Sequence, residues 1–302
     1  MVGEIKKMEV SAKMVKELRS RTGAGIMDCK EALKEKDGVL DEAIKFLREK
    51  GLSNAAKKAG REVSDGQIYA CINETGTIGA LIEVNCETDF VARTEEFQSV
   101  LDAISKHVVE KDGSAITITE VDDFLEDVVK AAIAKLGENI QFGRADKLSL
   151  GNEKIGRLAS YIHPGAKIGV LLELCCESVE VRDSNEFNEI AHDLCMHIAA
   201  TNPNYLSQED IPDSIISAEK EILSAQLAEE DKPQEILEKI VDGRIKKFKK
   251  EICLLDQPFV KDTDINIDTY ISNKSEALKE KISLSNFKCY ILGESQIDSS
   301  NT

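Results

Sequence analysis

Tryptophan is absent from this chain, and aromatic residues as a whole make up only 5% of it. A core without large rings has to be assembled from Ile, Leu, Val and Ala, and at 42% hydrophobic residues there is enough of that material. Nowhere does an apolar run approach the roughly 20 residues that a membrane-spanning helix requires. The opening stretch, Met1-Val2-Gly3-Glu4-Ile5-Lys6-Lys7, also lacks the apolar segment of a secretory signal. Both absences predict a cytoplasmic protein with no membrane partner. The eight cysteines (Cys29, Cys71, Cys86, Cys175, Cys176, Cys195, Cys253 and Cys289) include no Cys-x-x-Cys pair. In a reducing compartment they are expected to act as small buried hydrophobes. Positive charge is short too: 39 Lys and Arg stand against 56 Asp and Glu, a formal net charge of -17. A field of that sign repels phosphate backbones and predicts no direct nucleic-acid partner. Local basic stretches remain, since Lys and Arg gather in 1–61 and 239–250.

Catalytic constellations are missing as well. Thr22-Gly23-Ala24-Gly25 has no Gly-Lys-Ser/Thr end and no strand before it, so it reads as a turn between helices rather than a phosphate loop. His192, Cys195 and His197 could suggest zinc, but their spacing puts the two histidines on different faces of a helix. His163 has neither a nucleophile nor an acid near it in sequence, and reads as a turn or contact residue. These readings predict no enzyme, no cofactor and no metal.

What the chain does have is organisation, and its 302 residues suit two or three compact units. The period of the first sixty residues is helical. Ser11 can cap a helix carrying Met14, Val15 and Leu18; a second carries Ile26, Cys29 and Leu33; a third carries Ala43, Ile44 and Leu47 and stops at Gly51. This predicts a three-helix bundle over 1–56, with Asn54 to Gly66 read as a linker. From Gln67 the pattern alternates, then gives an apolar run from Ile78 to Cys86 and a helix from Glu95 to Val109. The layout returns ninety residues later. Between 78–97 and 168–187 nine of twenty positions are identical, among them Gly79/Gly169, Glu83/Glu173, Cys86/Cys176 and Phe97/Phe187. That agreement reads as an internal duplication of an α+β subdomain. The fold class is α+β: the helical bundle, core subdomains with antiparallel sheets at 57–150 and 151–207, a helical hairpin inserted at 208–253, and the remainder of the second subdomain with a tail at 254–302. The hairpin carries Ile215, Ile222, Leu223, Leu227, Ile236, Leu237, Ile240 and Ile245 about a break at Asp231-Lys232-Pro233. Its apolar seam permits self-association.

The duplication supplies its own control. At the end of the long strand one copy reads Thr88-Asp89-Phe90-Val91 and the other Ser178-Val179-Glu180-Val181. Thr and Ser match and Val is kept, whereas Asp-Phe is replaced. A corner that accepts Glu180 in the sister copy predicts an exposed Phe90, suited to insertion into a partner. The bland alternative is that Phe90 packs inside its own subdomain and Asp89 caps the next helix.

At this point several stretches together resemble the elongation factor Ts family. They are Val15-Lys16-Glu17-Leu18-Arg19 with Arg21-Thr22-Gly23-Ala24-Gly25, Met27-Asp28-Cys29-Lys30, Glu83-Val84-Asn85-Cys86 with Thr88-Asp89-Phe90-Val91, Gly137-Glu138-Asn139-Ile140, Gly243-Arg244 with Lys246-Lys247-Phe248, and Gln257-Pro258-Phe259-Val260. The resemblance implies a UBA-like N-terminal bundle and a guanine-nucleotide exchange factor for the GTPase elongation factor Tu. It implies that Thr88, Asp89, Phe90 and Val91 reach the partner's Mg²⁺ site and dislocate the ion. Further contacts implied are Arg19, Ile26, Met27 and Lys30 on the bundle, Ile140 and His163 on the core, and Val260. Lys261 stands where family members often carry Met. A ribosome- or RNA-associated scaffold using the basic stretches is the competing reading, and the net charge opposes it.

Overall fold

The computed structural model describes residues 10–58, 60–227 and 233–294. Three helices lead: α1 (Ala12–Thr22), α2 (Ile26–Glu35) and α3 (Leu40–Lys58). Ser11 caps α1 by accepting from the Met14 N–H at 3.3 Å, and Gly23 closes it in the left-handed region at φ 69°. Leu18, Cys29, Ala32, Leu33 and Ala43 form the bundle's closed core. Helix α3 does not stop at Gly51, as its sequence suggested, but runs on to Lys58 through the stretch read as a linker. A boundary at residue 56 therefore falls inside a helix.

The remaining elements are β1 (Asp65–Ile72), β2 (Ile78–Cys86), α4 (Asp89–Ala92), α5 (Glu95–Glu110), β3 (Ala115–Ile118), α6 (Asp123–Leu136) and β4 (Ile140–Ser149), followed by β5 (Ile155–Ile162), β6 (Ile168–Cys176), α7 (Val179–Arg182), α8 (Asn185–Thr201), α9 (Asp213–Leu227), α10 (Gln234–Ile252), β7 (Pro258–Phe259), β8 (Asp262–Asn266), α11 (Ile267–Leu278) and β9 (Ser283–Ile291). Strand order is β1-β2-β4-β3 in one sheet and β5-β6-β9 in another. In the second sheet both pairings are antiparallel, with Ile155 opposite Cys176 and Ile168 opposite Ile291. The fold is thus α+β. In each sheet the long apolar strand lies between its hairpin partner and a strand that arrives after a helix. Strands β3, β4, β7 and β8 and helix α11 were not anticipated from the sequence.

The chain divides into two compact units. One consists of Met1–Gln67, Ile82–Val108 and Thr117–Ala145; the other of Ile68–Leu81, Val109–Ile116 and Asp146–Thr302. In the first, α3 packs along α6. Gly51 sits at that contact: a Cβ there would lie 2.7 Å from the Ala134 Cβ. The glycine that looked like a helix stop is a close-approach position instead. In the second unit, one core gathers Val170, Leu172 and Leu174 of β6 with Phe187, Ile190 and Leu194 of α8 and Ile267, Tyr270 and Ile271 of α11. A smaller one joins Ile68, Leu81, Leu148, Leu158, Leu171 and Tyr290. Helices α9 and α10 pack on each other and bury Leu223, Leu227 and Ile245, while Ile222 and Ile236 stay exposed. Asp231 and Lys232 of the anticipated break lie outside the described residues, and Pro233 stands at the N-cap of α10. None of the eight cysteines is in a disulfide; five are buried and three half-buried.

Gly51→Ala separates two opposed effects. In an unconstrained helix interior Ala is favoured over Gly by about 1 kcal/mol, whereas overpacking a closed contact costs about 1–3 kcal/mol. Thermal denaturation is expected to show net destabilisation; a more stable variant would mean that α3 and α6 are not in close contact in solution.

Candidate partner-binding site

The corner after β2 is built from a hydroxyl and two carboxylates. Thr88 is extended (φ -134°) and caps α4. Its Oγ1 accepts from the Val91 N–H at 3.4 Å and donates to Glu138 Oε1 at 2.7 Å, while its own N–H donates to Glu138 Oε2 at 3.0 Å. The Cys86 thiol donates to the Thr88 carbonyl at 3.1 Å. Next to it, Glu87 Oε1 accepts the Asn139 N–H at 2.6 Å and Arg61 Nη1 at 3.4 Å. Farther along, the Ala92 carbonyl accepts Gln67 Nε2 at 2.9 Å and Gln98 Nε2 at 3.1 Å. The corner is therefore held from both ends, and its middle is free. Phe90 is 80% exposed, more than any other large hydrophobic residue described. Asp89 does not cap the helix; its carboxylate pairs with Arg93 at 2.8 Å, exposed on both sides.

Other positions singled out in the sequence fall into three groups. Ile26, Met27 and Lys30 occupy the solvent side of the first turns of α2, with Met27 74% exposed, and Arg19 is exposed on α1. Cys29 and Leu33, on the opposite side of α2, are fully buried. In the second unit, His163 is exposed at the β5–β6 turn and its Nδ1 lies 3.1 Å from the Tyr161 hydroxyl. Val260 is exposed just after β7, and Lys261 pairs with Asp193 at 2.7 Å, an ion pair that a Met in its place could not form. Ile140 is a correction: at 1% exposure its side chain belongs to the core and presents nothing to a partner. What that stretch brings to the corner is the half-buried Glu138, two residues earlier. Sequence reasoning quoted it only as part of a resembling stretch. No local signal could have found it, since Thr88 is flanked in sequence by Glu87 and Asp89, yet its acceptor is fifty residues away.

Val260 has a support that the sequence did not indicate. The fully buried His197 accepts the Val260 N–H on Nδ1 at 3.4 Å, and its Nε2 lies 3.0 Å from Gln257 Oε1. That pairing assigns the proton to Nε2, so the ring is neutral with both nitrogens engaged. The suggested zinc triad dissolves with it, because His192 is exposed while Cys195 and His197 point into the core. Burial pushes the Cys195 thiol well up and the His197 imidazole below its ordinary value. A histidine with a depressed folded pKa stabilises the fold above its unfolded pKa of about 6.5, and that contribution is lost as pH falls, because the unfolded chain takes the proton first. Urea melts run from about pH 7.5 to about pH 5 are expected to show falling stability. His197→Gln, which cannot charge, is expected to have a shallower slope over the same interval; an equal slope would remove His197 as its source.

Comparison with known proteins places this geometry. The family model "Elongation factor TS" matches residues 87–294, from the corner through β9. The elongation factor Ts of Clostridium acetobutylicum is 44% identical over 291 residues, covering 94% of this chain and 93% of that protein. Those of Symbiobacterium thermophilum and Trichlorobacter lovleyi are 42% and 40% identical, each covering 95% of this chain and 93% and 94% of their own length. Thr88-Asp89-Phe90-Val91 and Glu138 lie within the residues that the family model matches, and the chain belongs to the elongation factor Ts family.

Proposed function

We propose that this chain promotes release of guanine nucleotide from elongation factor Tu during translation elongation, and that Asp89 and Phe90 do so by dislodging the Mg²⁺ ion at the nucleotide. Membership of the family supports the exchange-factor role. The observation that carries the finer reading is the 80% exposure of Phe90 at a corner clamped on both sides. Burying a Phe side chain contributes about 1.5–3 kcal/mol, which is hot-spot scale. Asp89 beside it is held only by a surface ion pair with Arg93, a kind worth about 0–1 kcal/mol, so it can turn to a new partner at little cost.

The chemistry asked of the partner is modest. Mg²⁺ neutralises phosphate charge and bridges the nucleotide to protein oxygens, so displacing it weakens the hold on GDP. By linkage the factor lowers GDP affinity as much as GDP lowers affinity for the factor. No bond is made or broken, and the chain acts without being an enzyme. Arg19, Ile26, Met27 and Lys30 provide a second contact from the bundle, and His163 and Val260 provide contacts from the other unit. The work is placed in the cytoplasm, where translation runs. The exposed Ile222 and Ile236 of the hairpin are where two copies would associate.

Release of labelled GDP from elongation factor Tu tests the wedge. Asp89→Ala combined with Phe90→Ala is expected to slow factor-stimulated release by about tenfold to a hundredfold, the range that losing one buried Phe implies. Its melting temperature should stay near that of the wild type. Normal exchange by the double variant would sink the assignment.

A further inference from the structure

We infer that Glu138 is the positioning residue of the Asp89-Phe90 wedge: its carboxylate, clamped on both the N–H and the O–H of Thr88, fixes the direction in which the wedge points. This rests on the reading of Asp89 and Phe90 given above.

The need for an external anchor follows from the wedge itself. Phe90 is too exposed to hold its own place by packing, and Asp89 is tied only to Arg93. The helix α4 is one turn long, too short to be stable by itself. Its entry angle is therefore set by Thr88. The hydroxyl of Thr88 accepts from Val91 and donates to Glu138, so it is engaged as acceptor and as donor at once. Because the acceptor is a carboxylate, both bonds from Thr88 are of the stronger, charge-assisted kind.

Glu138 is itself held from the far side. Gly137, at φ 81°, ends α6 with a left-handed turn and passes its N–H to the Ile133 carbonyl. Lys58 Nζ donates to the Gly137 carbonyl at 2.5 Å, and Asn139 donates from its backbone to Glu87 and from Nδ2 to the Arg61 carbonyl. Three successive residues thus bind α3, the segment after it and the corner at once.

The sister copy shows what the clamp adds. Ser178 caps α7 in the same way, accepting the Val181 N–H at 3.2 Å, and donates its hydroxyl to Glu280 Oε2 at 2.8 Å. Glu280 likewise follows a left-handed helix end, Lys279 at φ 55°. Its other oxygen, Oε1, is buried with no hydrogen-bond partner. In the first copy the equivalent oxygen takes the Thr88 N–H. The corner that carries Asp-Phe has a two-legged clamp, and the corner that carries Val-Glu has one leg.

Glu138→Gln tests this in the full-length chain. A glutamine keeps one acceptor for the Thr88 N–H and turns its NH2 to the hydroxyl, which must then accept rather than donate, so the hydroxyl hydrogen loses its acceptor and both contacts lose the charge of the carboxylate. GDP release from elongation factor Tu is measured against factor concentration. The maximal rate is expected to fall about tenfold, the size of a clamp whose bonds lose their charge assistance, with the half-saturating concentration moving by less than about threefold. Added to Asp89→Ala/Phe90→Ala, Glu138→Gln should change nothing further, since the group it aims is gone. Glu280→Gln, the same change at the sister corner, should leave both parameters as they were. Thr88→Val, which removes the hydroxyl leg together with the cap that it gives the Val91 N–H, should also lower the maximal rate and serves if Glu138→Gln does not fold. A wild-type maximal rate in Glu138→Gln or in Thr88→Val overturns the inference. So does a loss that adds to that of the wedge variant, or an equal loss in Glu280→Gln, since each would mark general destabilisation. Normal exchange by the wedge variant would instead remove the underlying reading.

Discussion

Two hydrogen bonds from Thr88 into the Glu138 carboxylate decide where the most exposed aromatic side chain of this protein faces. Everything around the corner is arranged so that they can form. Strand β2 delivers Thr88 in an extended conformation, with the Cys86 thiol closing on its carbonyl. Helix α6 must end where it does, in a left-handed turn that glycine adopts without a steric penalty, for Glu138 to face the corner. Glu87 and Asn139 then lock the two segments side by side. A rigid frame with an unsupported tip suits a protein that works by binding. Contacts within the frame are already made, and the tip keeps apolar surface still to bury.

The duplication gives this frame a history. Both copies keep the glycine opposite the long strand, the hydroxyl cap and the acid after a left-handed helix end: Gly66 and Gly156 each leave no room for a Cβ against the carbonyl of Val84 or Leu174. Glu83 and Glu173 hold cations too, Arg144 and Lys154, at 2.9 Å and 2.6 Å. What the copies do not share is the tip. At that tip Asp89-Phe90 stands where the second copy has Val179-Glu180, and the two-legged clamp accompanies the copy with Asp89 and Phe90.

Much of this could be read from the residues. The bundle's buried face, the two long strands and their ninety-residue offset follow from hydrophobic period and identity. The exposure of Phe90 followed from a comparison internal to the chain. Other features were invisible for identifiable reasons. Gly51 was misread because a glycine that ends a helix and one that lets a second helix approach look alike until Ala134 is seen opposite. Ile140 was assigned to the surface on resemblance, whereas its alternation in β4 puts it inside. Strands β3, β7 and β8 are too short to show a period. Glu138 and His197 act through partners some fifty to sixty residues away in sequence, and no local pattern reports such pairs.

Helix α3 has a consequence for how the molecule meets its partner. A nineteen-residue helix is a rod of about 28 Å, and its last residue, Lys58, is bonded to the carbonyl that precedes Glu138. The bundle that displays Ile26 and Met27 is thus not a bead on a string searching space after the first contact forms. On the proposed reading both apolar patches of this unit would arrive as one stamp, so the second contact would carry almost no tether entropy and its local concentration would be set by geometry rather than by chain length.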